Sequence, residues 1–470
     1  MSVESRTSRH PVDEVLPPGR MATVALQHVA SMYAGVAAPP LIIGAAVGLT
    51  AAQLTTLLAA SLVIAGVATL LQTLGVWRIG SRLPFVNGVS FAVVSPILAV
   101  VEAEKGAALP LIFGSTIVAG LFCFLLAPVF CRLVRFFPPV VSGTVIALIG
   151  ISLLPVAGNW AQGGNSGAED YGSLVNLSLA GFTLIAVLLF NHFLRGFLQR
   201  ISILLGLLVG TLAAIPFGKV DVHVLSSLPV FELPNPFAFG APRFEVASII
   251  AMLVVMLVSM TESTADMIAL GEVVERKADD RTIAGGLRAD GLATAFGGVF
   301  NGFICSAFAQ NIGLVALTRI RSRFVVAMAG VFLVVMGLLP PVGALVSLVP
   351  QPVLGGAGVV LFGSVAVAGM RTLAQADLSA GSNAIIVAVS LAFGIFPIAF
   401  PDFYRAFPEQ LATVLSSGIS AGCLAAVTLN LLFNHVGRRR DASTAPGPED
   451  PAGHGAEKPI AAPEQVKGAS

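Results

Sequence analysis

The chain reads as a succession of apolar runs about 20 residues long, each closed by charge, by Gly or Pro, or by a polar stretch. A helix rising 1.5 Å per residue needs a run of that length to cross a hydrocarbon core about 30 Å thick. Fourteen such segments can be marked, at 22–47, 52–76, 84–101, 107–130, 137–156, 173–193, 201–216, 245–270, 284–303, 305–319, 323–347, 350–368, 380–398 and 408–435. The ten-residue alternation of barrel strands is absent, and lipid leaves helices as the only other spanning element because each backbone polar group must be satisfied internally. The pattern predicts an all-α polytopic membrane protein.

An even number of spans with both ends cytoplasmic assigns every loop to one side, and Lys and Arg test the assignment. Of the 26 such residues, 22 fall on the cytoplasmic side, leaving only Lys105, Lys219, Arg243 and Arg405 outside. The asymmetry supports the count and the orientation. The N-terminus is polar through about Arg20 and lacks a signal-peptide pattern, so the first apolar run reads as a retained span.

Two segments resist reading as plain helices. At 84–98, Pro-Phe-Val-Asn-Gly-Val-Ser-Phe precedes Ala-Val-Val-Ser-Pro, and at 305–319, Cys-Ser-Ala-Phe-Ala precedes Gln-Asn-Ile-Gly-Leu-Val-Ala-Leu-Thr-Arg. Both look like extended stretches feeding a half-helix. They are the third and tenth segments, corresponding positions in two seven-segment halves, and interrupted segments so placed point to an inverted repeat with its binding site between them. The expected organisation is a cytoplasmic tail at 1–20, a first repeat at 21–216, an extracellular connector at 217–244, a second repeat at 245–436 and a disordered cytoplasmic tail at 437–470.

Composition agrees with the pattern: 56% of residues are hydrophobic, 11% are charged, and mean hydropathy is +0.90, far from a soluble chain with about 25% charged residues. A net charge of +1 and no basic run with interleaved aromatics give no reason to expect nucleic acid. Cys123, Cys131, Cys305 and Cys423 form no CxxC pair and read as small core residues rather than disulfide or metal ligands. No metal, cofactor or catalytic motif such as HExxH or GxSxG is expected, which sets a membrane enzyme aside.

What remains is a short set of polar residues within apolar spans. Glu262 and Asp266 are four apart and share one face of the eighth segment. A carboxylate near mid-membrane costs at least about 2.5 kcal/mol even on insertion scales, so it turns to a cavity or partner and marks a substrate or proton path. The plain alternative is a structural carboxylate pairing with a neighbouring helix. Asp290 follows Arg288 near the predicted start of the ninth segment, where a helix-end charge is the competing reading. His28 lies one or two turns inside the first span, where a packed core histidine is the competing reading. Gln310 and Asn311 begin the tenth half-helix, where free backbone N–H groups and the positive dipole end gather; N-capping would explain one amide but not two.

The run Phe308-Ala309-Gln310-Asn311-Ile312-Gly313-Leu314-Val315-Ala316-Leu317-Thr318-Arg319 resembles the signature of the nucleobase–ascorbate transporter family, also called nucleobase:cation symporter-2. The likeness extends to Gln27-His28, Ser90-Phe91, Thr261-Glu262-Ser263-Thr264-Ala265-Asp266 and Asp290, and covers nearly the whole chain except the tails. The resemblance implies a seven-plus-seven repeat with a core (segments 1–4 and 8–11) and a gate (segments 5–7 and 12–14), a homodimer in membrane lipid, and import of a nucleobase with protons. By the same resemblance to the purine branch, Glu262 and Gln310 bind the base, and Phe91, Phe308, Ala309 and Ser90 line its site. Asp266, Asp290, His28, Asn311, Thr318 and Arg319 then couple protons or hold the site together.

The physics is compatible with a xanthine or uric acid ring, which offers flat faces for aromatic packing, N–H donors for a carboxylate, and adjoining donor and acceptor edges for an amide. Ile312, found also in uracil-type members where purine carriers often have a second Asn, leaves a pyrimidine as the alternative substrate. Sulfate or bicarbonate carriers share the architecture, but Glu262 has the wrong sign for an anion. Arg outnumbers Lys 21 to 5 and Ala and Gly are abundant, which points to a GC-rich bacterium and its plasma membrane.

Overall fold

The structure is a computed structural model and describes residues 10–104, 108–220, 230–379 and 381–436. Lys105, and the parts of the expected tails and connector at 1–9, 221–229 and 437–470, lie outside the described residues. The first half contains α1 (Pro18–Val47), α2 (Ala51–Leu74), β1 (Asn87–Val89), α3 (Val94–Ala103), α4 (Ala108–Leu133), α5 (Pro139–Ala161), α6 (Leu174–Phe193), α7 (Phe197–Arg200) and α8 (Ser202–Ala214). The second contains α9 (Val246–Val273), α10 (Asp280–Val299), β2 (Cys305–Ala307), α11 (Ala309–Thr318), α12 (Arg323–Gly337), α13 (Pro340–Ser347), α14 (Gln351–Leu373), α15 (Gly381–Ala399), α16 (Glu409–Ser416) and α17 (Gly418–Asn430).

Each of the fourteen segments corresponds to a helix, a helix pair, or a strand and half-helix. Among the described residues, eight helices are long and apolar enough to cross a membrane alone: α1, α2, α4, α5, α6, α9, α14 and α15. The protein is an integral membrane protein of all-α class. Local signals set many boundaries. Gly48 takes a left-handed conformation (φ 75°) to end α1, and Thr50 opens α2 through a capping box in which its N–H donates to Gln53 Oε1 at 3.0 Å.

One boundary differs usefully from expectation. The ninth segment begins at Asp280, not near residue 284, because Asp279 caps it by accepting from the Thr282 N–H at 2.9 Å. It also ends earlier, at Val299, before Asn301 turns the chain with φ 63°. Asp290 is therefore mid-helix and 1% exposed, not a charge at a helix start.

Replacing each segment by the one seven later maps the packing onto itself. Packing of α2 on α12 becomes α10 on α4; α1 on α12 becomes α9 on α4; α6 on α8 becomes α15 on α17; and α5 on α14 maps to itself. Seven spans per half is odd, so the halves insert in opposite directions. Small residues allow close approach at these contacts, as where Gly66 of α2 meets the backbone of Gly330 on α12 and Gly120 of α4 meets Gly291 on α10. The strands β1 and β2 pair antiparallel, with Asn87 opposite Ala307, Gly88 opposite Ser306 and Val89 opposite Cys305.

Candidate functional site

An isolated two-stranded ladder inside a helical membrane protein has to satisfy its backbone locally. Beyond the register pairs, the Ser90 N–H donates to Ile304 O at 2.9 Å and the Phe308 N–H donates to Val86 O at 3.1 Å, so the extended stretches satisfy one another. Each then feeds a half-helix of ten residues, about 15 Å long.

Phe308 locks the crossing. Its ring, 4% exposed, sits against Gly35 of α1 and Gly88 of β1; a Cβ on Gly35 would lie 2.7 Å from the ring, and one on Gly88 would come closer still. A side chain at Gly88 would have to displace the Phe308 ring, and its Cβ would also lie 2.9 Å from a methyl of Val36.

A cavity of about 220 Å³ opens beside the ladder. Ser90, Phe91, Glu262, Phe308, Ala309 and Gln310, the six residues expected to bind substrate, all line it. Its volume is below the roughly 300–1,000 Å³ of pockets for drug-sized ligands, which suits a small ring. Phe91 stands edge-on to Phe362 of α14, with ring centroids 6.1 Å apart at 76°. The Ser90 hydroxyl accepts from Ser259 at 3.3 Å and from the Ala92 N–H at 3.3 Å, fixing the turn into α3. Glu262 is half-buried, with the Ser306 hydroxyl of β2 within reach of its carboxylate. Gln310 is exposed at the start of α11.

The opposite wall was not legible in the sequence. Ile146 and Ile149 of α5, with Ser364, Val365 and Ala368 of α14, complete the cavity, so it lies between two packing groups. Apolar and hydroxyl residues in a span carry no signal that separates a cavity wall from ordinary core.

The remaining sequence candidates stand behind the cavity. Asp290 Oδ1 accepts from Gln72 Nε2 at 2.7 Å and, more closely, from Asn87 Nδ2, so the acid on α10 is tied to α2 and to β1. Hydrogen bonds to a charged group stabilise by roughly 1.5–3 kcal/mol each. The sequence pattern does not single out Gln72 or Asn87; the signals that could have found them are a lone amide in the second span and the Asn-Gly in the extended stretch. Asn311 does not cap α11. It is the third residue of that helix, and its Nδ2 donates to Pro84 O at 2.7 Å, anchoring the half-helix to the chain entering β1. His28 is buried, with its ring beside the Asn311 amide. Asp266 lies one turn along α9 from Glu262, and its buried Oδ2 has no hydrogen-bond partner among the described residues.

Thr318 and Arg319 do not reach the cavity; they end α11. The Thr318 hydroxyl donates to Leu314 O at 2.9 Å, and Arg319 takes φ 56° as the left-handed cap. The four cysteines are unpaired thiols; Cys123, Cys305 and Cys423 are buried.

The Permease family model matches residues 19–403. The chain is 43% identical over 419 residues to the uric acid permease PucJ of Bacillus subtilis (strain 168), covering 88% of this chain and 93% of that protein. It is 42% identical over 416 residues to the xanthine permease of the same organism, covering 88% and 94%. The uric acid transporter UacT of Escherichia coli (strain K12) is 40% identical over 425 residues, covering 90% and 88%. Among solved structures, the transmembrane domain of the cyanobacterial bicarbonate transporter BicA superposes with a TM-score of 0.57 at 17% identity, covering 89% of this chain and 98% of that one. SLC26A9 gives 0.57 at 12% identity, covering 89% and 66%; both likenesses concern the fold alone. With a signature, a packing repeat and relatives of this closeness in agreement, the chain belongs to the Permease family and is a transporter, not an enzyme.

Proposed function

We propose that this protein imports a purine nucleobase, xanthine or uric acid, across a bacterial plasma membrane together with protons. The observation that carries the reading is the convergence of a carboxylate (Glu262), an amide (Gln310) and an aromatic ring (Phe91) on one small cavity. A purine ring offers N–H donors to Glu262, a mixed edge to Gln310 and a flat face to Phe91. A site with fixed polar partners rejects a base of the wrong edge pattern by leaving its own groups unpaired. The relatives' names agree in substrate class. Among the described residues no Lys, Arg or His lines the cavity, which weighs against a small inorganic anion despite the fold shared with a bicarbonate carrier.

In this reading segments 1–4 and 8–11 form a core that carries the base and moves, elevator-like, against a gate of segments 5–7 and 12–14. The cavity is walled by both groups, so sliding one past the other would move the base between the two faces of the membrane. Glu262 and Asp266 supply proton-binding positions without a neighbouring lining cation, and a proton bound there would neutralise the core before it moves. Asp290, His28, Asn311, Thr318 and Arg319 position the ladder and half-helix. Both termini are cytoplasmic, and two copies assemble as a homodimer.

Uptake of labelled xanthine competed by urate, hypoxanthine and uracil tests the substrate; dominance of uracil would replace the purine reading. Glu262→Gln should abolish proton-driven accumulation, and accumulation at the normal level would remove Glu262 from coupling.

A further inference from the structure

A second cavity of about 550 Å³ lies in the seam between α1 and the wall made by α8, α13 and α14. It runs from Leu26 to Leu41 along α1 and from Ile203 to Leu212 along α8, with Trp160 and Leu361 at its back. Among the described lining residues Tyr33 and Thr211 bring the only hydroxyls, and these already donate to Val342 O at 3.2 Å and Leu207 O at 2.7 Å. Leu26, Leu208 and Leu212 are 56–58% exposed, so the groove opens sideways onto whatever surrounds the spans.

Water is a poor occupant, because a stable buried water needs 2–4 polar partners. An empty groove would forfeit the dispersion contacts of its lining. Hydrocarbon satisfies both conditions. From Leu26 to Leu41 the groove extends about 22 Å along the helix axis, more than the roughly 15 Å depth of one leaflet's hydrocarbon. One end lies near a cation: Arg200, exposed, ends α7 just before α8 begins, and its Nη1 would lie 2.9 Å from a Cβ on Gly313 of α11. The repeat-related seam is closed instead by protein, with α9 packed on α16 and α17.

We infer that a phospholipid is the resident ligand of this groove, its acyl chain between α1 and α8 and its phosphate at Arg200. The chain wedges the seam that its counterpart closes, and so holds the arrangement in which α11 is uncovered. This ligand is independent of which base the protein carries.

Trp160 reports on the chain. Gly210 of α8 packs on Val353, and Gly355 two residues further packs on Ala161, so Trp160 is level with Gly210, ten residues and about 15 Å beyond Arg200. That is the methyl end of an anchored chain. The protein has two tryptophans, so Trp77→Phe leaves Trp160 alone.

In vesicles of phosphatidylglycerol brominated near the methyl end, Trp160 emission should fall by more than half. Bromines near the carboxyl end should quench less, and aqueous iodide least. Plugging the groove with Ala34→Phe, or with the smaller Ala30→Leu, should restore emission, and Arg200→Gln should restore part of it. Unquenched emission in brominated vesicles overturns the proposal. So does quenching by iodide, which would mean a wet crevice, or quenching that survives a plug which retains base uptake, which would mean bulk lipid.

Discussion

The half-helices α3 and α11 leave the same ladder at corresponding points of the two repeats, yet their surroundings differ. α3 packs on α16 and α17, and Ser95 lies 3.4 Å from Ser417, Oγ to Oγ. α11 packs on α1 and α9, and Ala309, Gln310, Ala316 and Leu317 are exposed. On the proposed alternating-access reading, a symmetric packing frame with one covered and one uncovered half-helix is what a carrier open to one side requires, since access would be decided by which half-helix the opposing group covers. The chemistry is asymmetric too. Gln310 and the carboxylates of α9 belong to the second repeat, whereas the first contributes Ser90 and Phe91.

Four changes would break or sharpen that comparison. The largest effect is expected where the halves share a part: Gly88→Val drives a side chain into Phe308, and overpacking costs roughly 1–3 kcal/mol or more. Uptake should vanish and the melting temperature should fall, whereas a change confined to one half-helix should spare folding. Next, Ser95→Cys with Ser417→Cys, in a chain whose four native cysteines are replaced, should form a disulfide that stops uptake until reduced. Failure to cross-link would mean that α3 is not held closed.

The third test sets one half-helix against the other. If Gln310 binds the base as proposed, Gln310→Ala removes a hydrogen bond worth about 1.4 kcal/mol, so the apparent affinity for base should weaken about tenfold. Ser90→Ala should instead cost about 1 kcal/mol of stability as a lost cap, with a smaller change in affinity; equal affinity losses would make the two half-helices equivalent in binding.

The smallest effect concerns the solvent-facing end near α11. The Arg321 guanidinium donates to Glu275 at 2.7 Å and holds that carboxyl below its ordinary value. A depressed folded value means the contribution is present above the unfolded value near 4.3 and is lost as pH falls through the folded one. Because Glu275 is exposed, Glu275→Gln should shift the melting temperature slightly at neutral pH and not at all at pH 3; an equal shift at both would point to packing rather than charge.

The apolar spans and the polar residues that gather at the candidate cavity were legible in the residues for a common reason. Lipid penalises every unsatisfied polar group, so apolar runs, Arg placement and a few expensive carboxylates and amides carry much of the information. Sequence order also located the interruptions at 84–98 and 305–319, which became β1 with α3 and β2 with α11. Tertiary structure decided the rest. It set Asp290 mid-helix against Gln72 and Asn87, used Asn311 to anchor Pro84 rather than to cap, and turned Phe308 into a lock between two glycines. It also chose Ile146, Ile149, Ser364, Val365 and Ala368 as the cavity's far wall. Such contacts join residues up to several hundred positions apart, and in a span where nearly every residue is apolar or small, only the packing of one helix on another says which of them face the cavity.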